Sequence, residues 1–564
     1  MESLSRAIAN LIKELFDYDI DVRLTRPDSQ FGDYATNVAL QLAKPLGRSP
    51  RDIAQEIATK LTEGNEVSEV SIAGPGFINI RVSARAQYDR LVERWSPEYG
   101  NSLDGYGKTV VVEYPSPNMA KPYSVGHLRP GNQGWAAKKL LEATGWTVIT
   151  DNHLGDYGAP FGVWVVGFER FSSDEALERD GVYELGRVYI ATKQALKEEK
   201  EAGGHELADE VQNWLLRLER GDEAAQTYSR RFYDISMRHI HEVMARLNIS
   251  TEYEYGESFF VEKGKQAVQE LLERNVATQN ADGSVIVSLD DMGIDVPLLV
   301  QKSNGAALYA TTDLATILFR EETWRPDKVV YVVGAEQQFY FSQLFAMAKK
   351  LEITTELYHL WFGVIDQMND DGKREKMSSR KGVVLMEELL DQAEARARET
   401  VVDREVSTED IKKIALGAIK FSDFIADRRT NILFDWNTIF ALTGMSGPYV
   451  QYAAVRVNKI LRDYGGGEEG VTDYDFTPEK DVIAKLLEYP GVVKIAARDL
   501  EPHRIAGYLY ELAREMNRYY EMTSVATDEV GAREKSARLD ILTRVSHVFQ
   551  HGLDLLGIEV PTKM

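Results

Sequence analysis

Two short stretches of this sequence combine residue types that bind phosphate. The first contains a glycine, a histidine and the start of a predicted helix. The first signature segment runs from Ser116 to Arg129 and reads SPNMAKPYSVGHLR; it follows the apolar run 109–114 and precedes a helix pattern. Gly126 lets a flat base or a phosphate approach the backbone, and the N–H groups that open the next helix favour negative charge. His127 can donate a hydrogen bond to such a ligand. This order of strand, loop and helix predicts a nucleotide site.

The second signature segment, from Lys376 to Gly382 with the sequence KMSSRKG, lies far downstream and is strongly basic. The net charge of the whole chain is -23, so a dense basic run is unusual here. Five cations fall within nine residues, opposed only by Glu375: Lys373, Arg374, Lys376, Arg380 and Lys381. Together the two segments predict a split ATP site in which phosphates are held from two sides.

The composition limits the class of protein. The chain has 564 residues, of which 44% are hydrophobic, so we expect several domains with real cores. Its negative charge excludes a generally basic nucleic-acid binder, and any RNA contact must come from local basic surfaces. The absence of cysteine excludes disulfides, thiolate catalysis and cysteine zinc sites. The sequence has neither a signal-peptide pattern nor an apolar run of about 18 residues, so we expect a cytoplasmic protein without a membrane partner.

The pattern of predicted elements changes along the chain. Residues 1–105 contain an amphipathic helix opened by Ser49–Asp52, a capping-box pattern with proline at the first helical position. A hairpin pattern follows, and a small α/β domain is expected. Strand-like and helix-like runs alternate at 109–152 and again at 327–390, as in a parallel sheet. A long charged and mostly helical insertion separates these two halves, and the pattern after about residue 405 is helical.

These residues together resemble a known family. The two segments are similar to the HIGH and KMSKS signatures of class I aminoacyl-tRNA synthetases, and their surroundings resemble arginyl-tRNA synthetases in particular. Further matching stretches lie in the family's order along nearly the whole chain: Phe31–Tyr34, Ala73–Ile78, Glu113 with Ser116–Asn118, Tyr309–Leu314, Tyr331–Gly334 and Gly447–Tyr452.

The resemblance implies a multidomain fold of α/β plus α class. Its parts would be a small N-terminal α/β domain that binds the tRNA elbow, a split Rossmann-fold catalytic domain with a helical insertion, and a C-terminal α-helical bundle that binds the anticodon. The corresponding ranges are 1–105, 106–400 with the insertion at about 160–300, a linking helical region at 401–446, and 447–564.

The resemblance also implies the reaction and its machinery. Arginine and ATP, with Mg²⁺ accompanying the nucleotide, would give arginyl-adenylate, and the arginyl group would pass to the terminal adenosine of tRNA(Arg). The enzyme would be a monomer. Such transfers are helped mainly by positioning and by countering charge on phosphate oxygens. The implied catalytic residues are His127, Ser124, Lys376 and Lys381, and the implied ATP-binding residues add Gly126, Met377, Ser378 and Arg380.

An arginine pocket needs carboxylates or carbonyls around a plane, because a guanidinium presents five donors in a rigid fork. Asp313 and Tyr309 are four residues apart on a predicted helix and share one face. The resemblance assigns them to the guanidinium, and it completes the amino-acid site with Glu113, Ser116, Asn118 and Gln337. The structural alternative is that Asp313 lies on a surface helix and Glu113 ends a strand in solvent.

Contacts with tRNA are predicted from aromatic and amide side chains, which can stack on or hydrogen-bond to unpaired bases. For Phe31, a tight turn before a helix is an equal alternative. For each tyrosine, core packing is an equal alternative. The candidates are Phe31, Tyr449, Gln451, Tyr452, Asn517 and Tyr520. No metal site is predicted, because His547 and His551 share a helix face without the glutamate of a zinc-protease motif.

Some positions depart from the family pattern. Ser124 stands at the first histidine of the HIGH signature, and Tyr340 stands where a histidine is usual; Thr312 replaces an arginine of some members, and Pro130-Gly131 replaces Ser-Thr. A serine hydroxyl still donates to a phosphate oxygen, but it is shorter than imidazole and carries no charge. We expect activity to survive. Two other classes remain open, a synthetase-like paralogue that binds without aminoacylating and a class I ligase or nucleotidyltransferase for another substrate.

Overall fold

The computed structural model of the chain describes residues 2–25, 27–28, 30–64, 66–158, 160–369, 371–377, 384–401, 405–467, 471, 473–525 and 530–564. The chain divides into two compact units. One comprises residues 1–99, 456–490 and 511–549, and the other comprises 100–455, 491–510 and 550–564.

The N-terminal region is a small α/β structure whose three strands form an antiparallel sheet in the order β1-β3-β2. Its third helix begins at Pro50, whose missing N–H is unused in a first turn. The predicted capping box is wrong in one respect: Ser49 is the N-cap, but its side chain accepts no hydrogen bond from the helix. The elements are α1 Glu2–Phe16, β1 Tyr34–Thr36, α2 Val38–Leu46, α3 Pro50–Thr62, β2 Val67–Ala73, β3 Phe77–Val82 and α4 Ala84–Arg94.

The next elements begin the central sheet and lead into the helical insertion. Val110, Val111 and Val112 of β4 are fully buried, as expected for a strand covered on both faces. Helix α5 lies close to this strand at Gly134, where an added Cβ would lie 2.2 Å from the Tyr114 ring. The elements are β4 Thr109–Glu113, α5 Leu128–Ala143, β5 Thr147–Leu154, α6 Pro160–Phe171, α7 Asp174–Asp180, α8 Val182–Glu201, α9 Glu206–Glu219 and α10 Glu223–Arg246.

The remaining strands complete the central sheet and two smaller ones. The central sheet is parallel, with the order β11-β10-β4-β5-β6. Strand β6 lies inside the stretch predicted as an insertion, yet it pairs with β5 as an edge strand. The elements are β6 Tyr253–Gly256, α11 Glu257–Glu273, β7 Thr278–Gln279, β8 Val285–Leu289, β9 Ile294–Gln301, α12 Tyr309–Thr323, β10 Lys328–Gly334, α13 Gln338–Lys350, β11 Glu356–Phe362, β12 Ile365–Met368 and β13 Arg374–Lys376.

Beyond the central sheet the chain is mostly helical. A buried ion pair links α5 to α15: Arg129 Nε donates to Asp423 over 2.9 Å, and both side chains are almost fully buried. Asn132 and Gln133 donate to the same carboxylate. The elements are α14 Met386–Thr400, α15 Thr408–Phe424, β14 Ile432–Leu433, α16 Trp436–Ile439, α17 Gly447–Tyr464, α18 Lys480–Asp499, α19 His503–Met522 and α20 Ala532–Leu555.

The predicted fold class is confirmed, since a parallel central sheet with helices is accompanied by a small N-terminal α/β region and C-terminal helices. The boundaries predicted at 105, 400 and 446 stay predictions. Among the described residues, no helix is both long and apolar enough to cross a membrane.

Candidate active site

A cavity of about 580 Å³ opens at the carboxyl ends of β4, β5 and β10. This is the edge of a parallel sheet where ligands bind. All six residues predicted for arginine line it, together with two of those predicted for ATP: Glu113, Ser116, Asn118, Tyr309, Asp313, Gln337, Gly126 and His127. The structure therefore brings together residues that are more than 200 positions apart in the sequence.

His127 lies in a tight turn at the start of α5. A 3-10 turn over Val125–His127 precedes the helix, and the Ser124 N–H donates to His127 Nδ1 over 3.3 Å. The Ser124 hydroxyl is also 3.3 Å from Nδ1. Partial burial lowers the pKa of His127 to about 4, so the ring is neutral near pH 7. Because Nδ1 accepts from the backbone, the proton lies on Nε2, which can donate to a ligand.

A short antiparallel bridge joins the first signature segment to the residues that follow the second. Val125 N–H donates to the Val384 carbonyl and Met386 N–H donates to the Tyr123 carbonyl, each over 3.0 Å. The bridge fixes the residues that follow the second segment against the first. It thus holds Val384 and Met386 beside the turn that carries His127.

The start of the second signature segment is also held. Lys376 is an exposed residue of β13, paired with Asp366 of β12, and the buried Met377 donates its N–H to the Ile365 carbonyl over 2.9 Å. Lys376, Met377 and Ser124 do not line the cavity itself. Three further predicted residues, Ser378, Arg380 and Lys381, lie outside the described residues.

Glu113 takes part in a buried ion triad that the sequence did not reveal. One guanidinium nitrogen of Arg320 lies 2.6 Å from Glu113 Oε2 and 2.6 Å from Asp151 Oδ2. All three side chains are at least nine-tenths buried. The alternative that Glu113 ends its strand in solvent is therefore wrong. The carboxylate is already partnered by Arg320, so its contribution to a substrate comes from its remaining oxygen lone pairs.

The far side of the cavity holds acidic groups that form no ion pair with a lysine or arginine among the described residues. Asp313 lies on α12 and Glu257 begins α11. Burial raises the pKa of Asp313 to about 7, and burial together with the nearby Asp313 and Asp156 charges raises that of Glu257 to about 8. A bound guanidinium would supply the missing positive charge and favour the ionised carboxylates. Tyr309, one turn before Asp313, is 71% exposed at the edge of this pocket.

His153 and Ser116 leave polar atoms unpaired in the cavity wall. Within the described part of the chain, neither ring nitrogen of His153 has a hydrogen-bond partner, nor does the buried Ser116 hydroxyl. The His153 ring is neutral near pH 7, because burial lowers its pKa to about 4. Buried polar atoms normally have partners, so these atoms are available to a ligand.

The predicted tRNA-contacting residues have different environments. Phe31 is 52% exposed and Tyr452 is 46% exposed, as a stacking platform requires. Tyr449 packs beside Tyr510 with ring centroids 5.6 Å apart. Tyr520 and Asn517 are half-buried, and the Arg456 guanidinium lies 4.2 Å from the Tyr520 ring centroid.

The prediction for Gln451 is corrected by the structure. Its side chain is fully buried, and its amide nitrogen donates to the Lys413 carbonyl over 3.0 Å and to the Glu559 carbonyl over 2.8 Å. A side chain that satisfies protein carbonyls in the interior does not reach RNA. Gln451 instead ties α17 to α15 and to the segment after α20.

Sequence reasoning missed Asp151, His153, Glu257 and Arg320. Asp151 directly follows the predicted strand 148–150 and His153 comes two residues later, so the rule that ligands bind at carboxyl strand ends could have found them. Glu257 likewise follows β6, a strand that the sequence pattern did not predict. Arg320 carries no such signal, because an arginine in a helix pattern is usually on the surface. No group of three or more His, Cys, Asp or Glu side chains suited to a metal ion occurs in the described residues.

Comparison with known proteins agrees with this arrangement. The chain matches the family model for tRNA synthetases class I (R), catalytic domain, at residues 98–436. It also matches the Arginyl tRNA synthetase N terminal domain at residues 2–82 and the DALR anticodon binding domain at 450–564.

Individual relatives match over almost their full length. The arginine--tRNA ligase of Clostridium perfringens is 35% identical, with 99% of each chain covered. That of Fusobacterium nucleatum is 31% identical over 98% of this chain and 96% of its own. The solved structure of Thermus thermophilus arginyl-tRNA synthetase shares the fold, with a TM-score of 0.78, 24% identity and full coverage of both chains. The chain therefore belongs to the arginyl-tRNA synthetase family of class I aminoacyl-tRNA synthetases.

Proposed function

We propose that this chain is an arginine--tRNA ligase that activates arginine with ATP and transfers it to the 2′-hydroxyl of the terminal adenosine of tRNA(Arg). The observation that carries the proposal is the single cavity in which the acidic pocket of Asp313 and Glu257 adjoins the turn of Gly126 and His127. This arrangement suits a substrate with a cationic end and a reacting carboxylate. The family assignment agrees with it.

In the first step an oxygen of the arginine carboxylate attacks the α-phosphorus of ATP, and the bond to pyrophosphate breaks. ATP enters as its Mg²⁺ complex, so the metal is part of the substrate. The chain's own contribution is to orient the reactants and to counter charge on the phosphates. His127 donates from Nε2 to a phosphate oxygen, and Gly126 leaves room for the adenine face. Lys376 and the rest of the second signature segment supply positive charge from the other side.

Selection of arginine follows from the charge and shape of the pocket. Asp313 and Glu257 are proposed to receive the guanidinium. Gln337, Asn118 and Ser116, which also line the cavity, are proposed to bind the amino and carboxylate groups. An ionised carboxylate pair facing a guanidinium gives charge-assisted hydrogen bonds, which a neutral side chain cannot replace. Glu113 stays fixed by Arg320 and faces the same space.

In the second step the terminal 2′-hydroxyl of tRNA attacks the arginyl carbonyl and AMP leaves. Phe31, Tyr449, Tyr452, Asn517 and Tyr520 are proposed to contact the tRNA elsewhere along its length. We further propose that the enzyme is a monomer and acts in the cytoplasm. Its N-terminal region would bind the tRNA elbow, and its last helices would bind the anticodon.

The test is ATP–pyrophosphate exchange with arginine, with and without tRNA(Arg), together with charging of tRNA by labelled arginine. We expect exchange that depends on arginine and is strongest with tRNA present, and no comparable signal with lysine or citrulline. The variant Asp313→Asn removes the negative charge and keeps the size of the side chain. Its KM for arginine should rise by roughly 100-fold or more, because a charge-assisted contact is lost in a buried site. The absence of arginine-dependent exchange under both conditions would contradict the proposal and favour a non-catalytic paralogue.

A further inference from the structure

One side chain of the cavity has no role in the reaction described so far, although it touches the acid that selects the substrate. Tyr340 lies near the start of α13 and lines the cavity. Its phenol donates a hydrogen bond to Asp313 Oδ2. The other carboxylate oxygen of Asp313 lies 3.8 Å from His153 Nε2. The carboxylate is thus held from one side by Tyr340 and bordered on the other by His153.

The surroundings of Asp313 make this hydrogen bond important. Burial disfavours the ionised carboxylate and raises its pKa, and the negative charge of Glu113 acts in the same direction. The Tyr340 hydrogen bond is the largest influence that lowers this pKa, ahead of the Arg320 charge. Besides Tyr340, the titratable groups near Asp313 are Tyr309 and Arg320 on its own helix, and Glu113, His153, Glu257 and Tyr331 on neighbouring elements.

We propose that Tyr340 is a positioning residue for arginine selection: its hydroxyl holds the Asp313 carboxylate in the orientation and the anionic form that a guanidinium requires. The inference rests on the proposed function, because it takes Asp313 as the partner of the substrate guanidinium. Tyr340 need not touch the substrate to act in this way. A phenol is suited to the task, since it donates one hydrogen bond to the carboxylate and leaves the other lone pairs for the substrate.

The test is the variant Tyr340→Phe, which removes only the hydroxyl and keeps the ring that packs edge-on against Phe341. KM for arginine and for ATP are measured in tRNA charging between pH 6.5 and 8.5. If the Asp313 pKa rises by about one unit, the ionised fraction at pH 7 falls roughly fivefold, and KM for arginine rises by the same factor. KM for ATP should not change. The difference in arginine KM should nearly vanish by pH 8.5, where Asp313 is ionised in both proteins.

Two further variants separate positioning from simple packing. Tyr340→His retains a donor that reaches a carboxylate, so we expect KM for arginine to return toward the wild-type value. Tyr228→Phe is the matched control, because it removes a phenol-to-carboxylate hydrogen bond to Glu169 outside the cavity and should leave both KM values unchanged. Thermal unfolding of each variant verifies that it is folded.

The possible results distinguish a failure of the proposed Tyr340 role from a failure of the proposed function. An arginine KM in Tyr340→Phe that equals the wild-type value at every pH, or one that rises equally at every pH together with KM for ATP, would overturn the role of Tyr340. A wild-type protein without arginine-dependent exchange would instead overturn the proposed function itself.

Discussion

Arg320 forms a buried ion pair with Glu113, a residue that lines the cavity, with 2.6 Å between nitrogen and oxygen. The two residues come from α12 and β4, so the pair joins the helix that carries Asp313 to the central strand. The same nitrogen also contacts Asp151 of β5. One cation therefore links three elements that line the proposed arginine pocket.

Replacement of Arg320 by methionine should destabilise the protein strongly. Two carboxylates would remain buried without their cation, which typically costs about 3–5 kcal/mol. Denaturant unfolding measures the loss. In a background carrying Glu113→Gln and Asp151→Asn, the same replacement should cost much less, because no uncompensated charge remains. Equal losses in the two backgrounds would show that the triad is not held by charge.

Asp313 and Glu257, the acids of the proposed arginine pocket, should reduce stability in the absence of substrate. The folded-state pKa values of Asp313 and Glu257, about 7 and about 8, lie above the ordinary carboxyl values. The folded protein therefore binds more protons than the unfolded one from about pH 4 to pH 8, and stability is lost as pH rises through 7 and 8.

We therefore expect the double variant Asp313→Asn, Glu257→Gln to be more stable than wild type at pH 8.5, by about 1–3 kcal/mol, and to bind arginine poorly. The stability gain should shrink as the pH is lowered to 6. Calorimetric unfolding without ligand, repeated at each pH, tests this. A variant that is less stable than wild type at pH 8.5 would contradict the sign of both pKa shifts.

Ser124 should contribute measurably to adenylate formation. Its hydroxyl lies 3.3 Å from His127 Nδ1 and is part of the turn that presents the ring. Loss of one such hydrogen bond in Ser124→Ala should lower the exchange rate roughly 2- to 10-fold. Ser124→Thr keeps the hydroxyl and should retain most of the rate. An unchanged rate in Ser124→Ala would remove Ser124 from the ATP site.

Lys420 should make stability depend on pH in the alkaline range. It is fully buried on α15, and burial lowers its pKa to about 7. Its ammonium nitrogen is 3.5 Å from the Asn248 carbonyl. Between about pH 7 and the ordinary lysine value of 10.5 the unfolded protein holds more protons, so stability should rise with pH.

Lys420→Met should abolish this contribution to the slope and raise the free energy of unfolding at pH 7 by about 1–3 kcal/mol. The exposed Lys349 provides the control, because Lys349→Met should leave the slope as it is in wild type. The measurement is denaturant unfolding at pH 7, 8 and 9. A destabilised Lys420→Met protein at pH 7 would show that the ammonium is well solvated or paired.

The sequence predicted which residues line the pocket, but it did not predict how their charges are paired. Glu113 and Asp313 were predicted from motifs that lie along this chain in the same order as in the family. Both residues line the cavity. The strands were predictable because Val110–Val112 and the run 329–333 are continuous apolar segments. Arg320 was not predictable, because only the packed structure shows that one helical arginine is buried between acids.

Gln451 illustrates the opposite error. It lies between two tyrosines in a stretch with the composition of an RNA-binding surface, and its neighbour Tyr452 is exposed. Helical rotation nevertheless turns adjacent residues to different faces, and the Gln451 amide points into the interior. A glutamine is compatible with RNA contact and with interior hydrogen bonding. The hydrogen bonds to the Lys413 and Glu559 carbonyls show that Gln451 has the interior role.

The link between α5 and α15 has a consequence for how the family varies. Arg129 and Asp423 are buried together, with Asn132 and Gln133 on the same carboxylate. A change at either position alone leaves a charge in the interior, whereas a change at both can be neutral. Natural sequences should therefore keep both residues or replace both together, so that these two positions, 294 residues apart, covary.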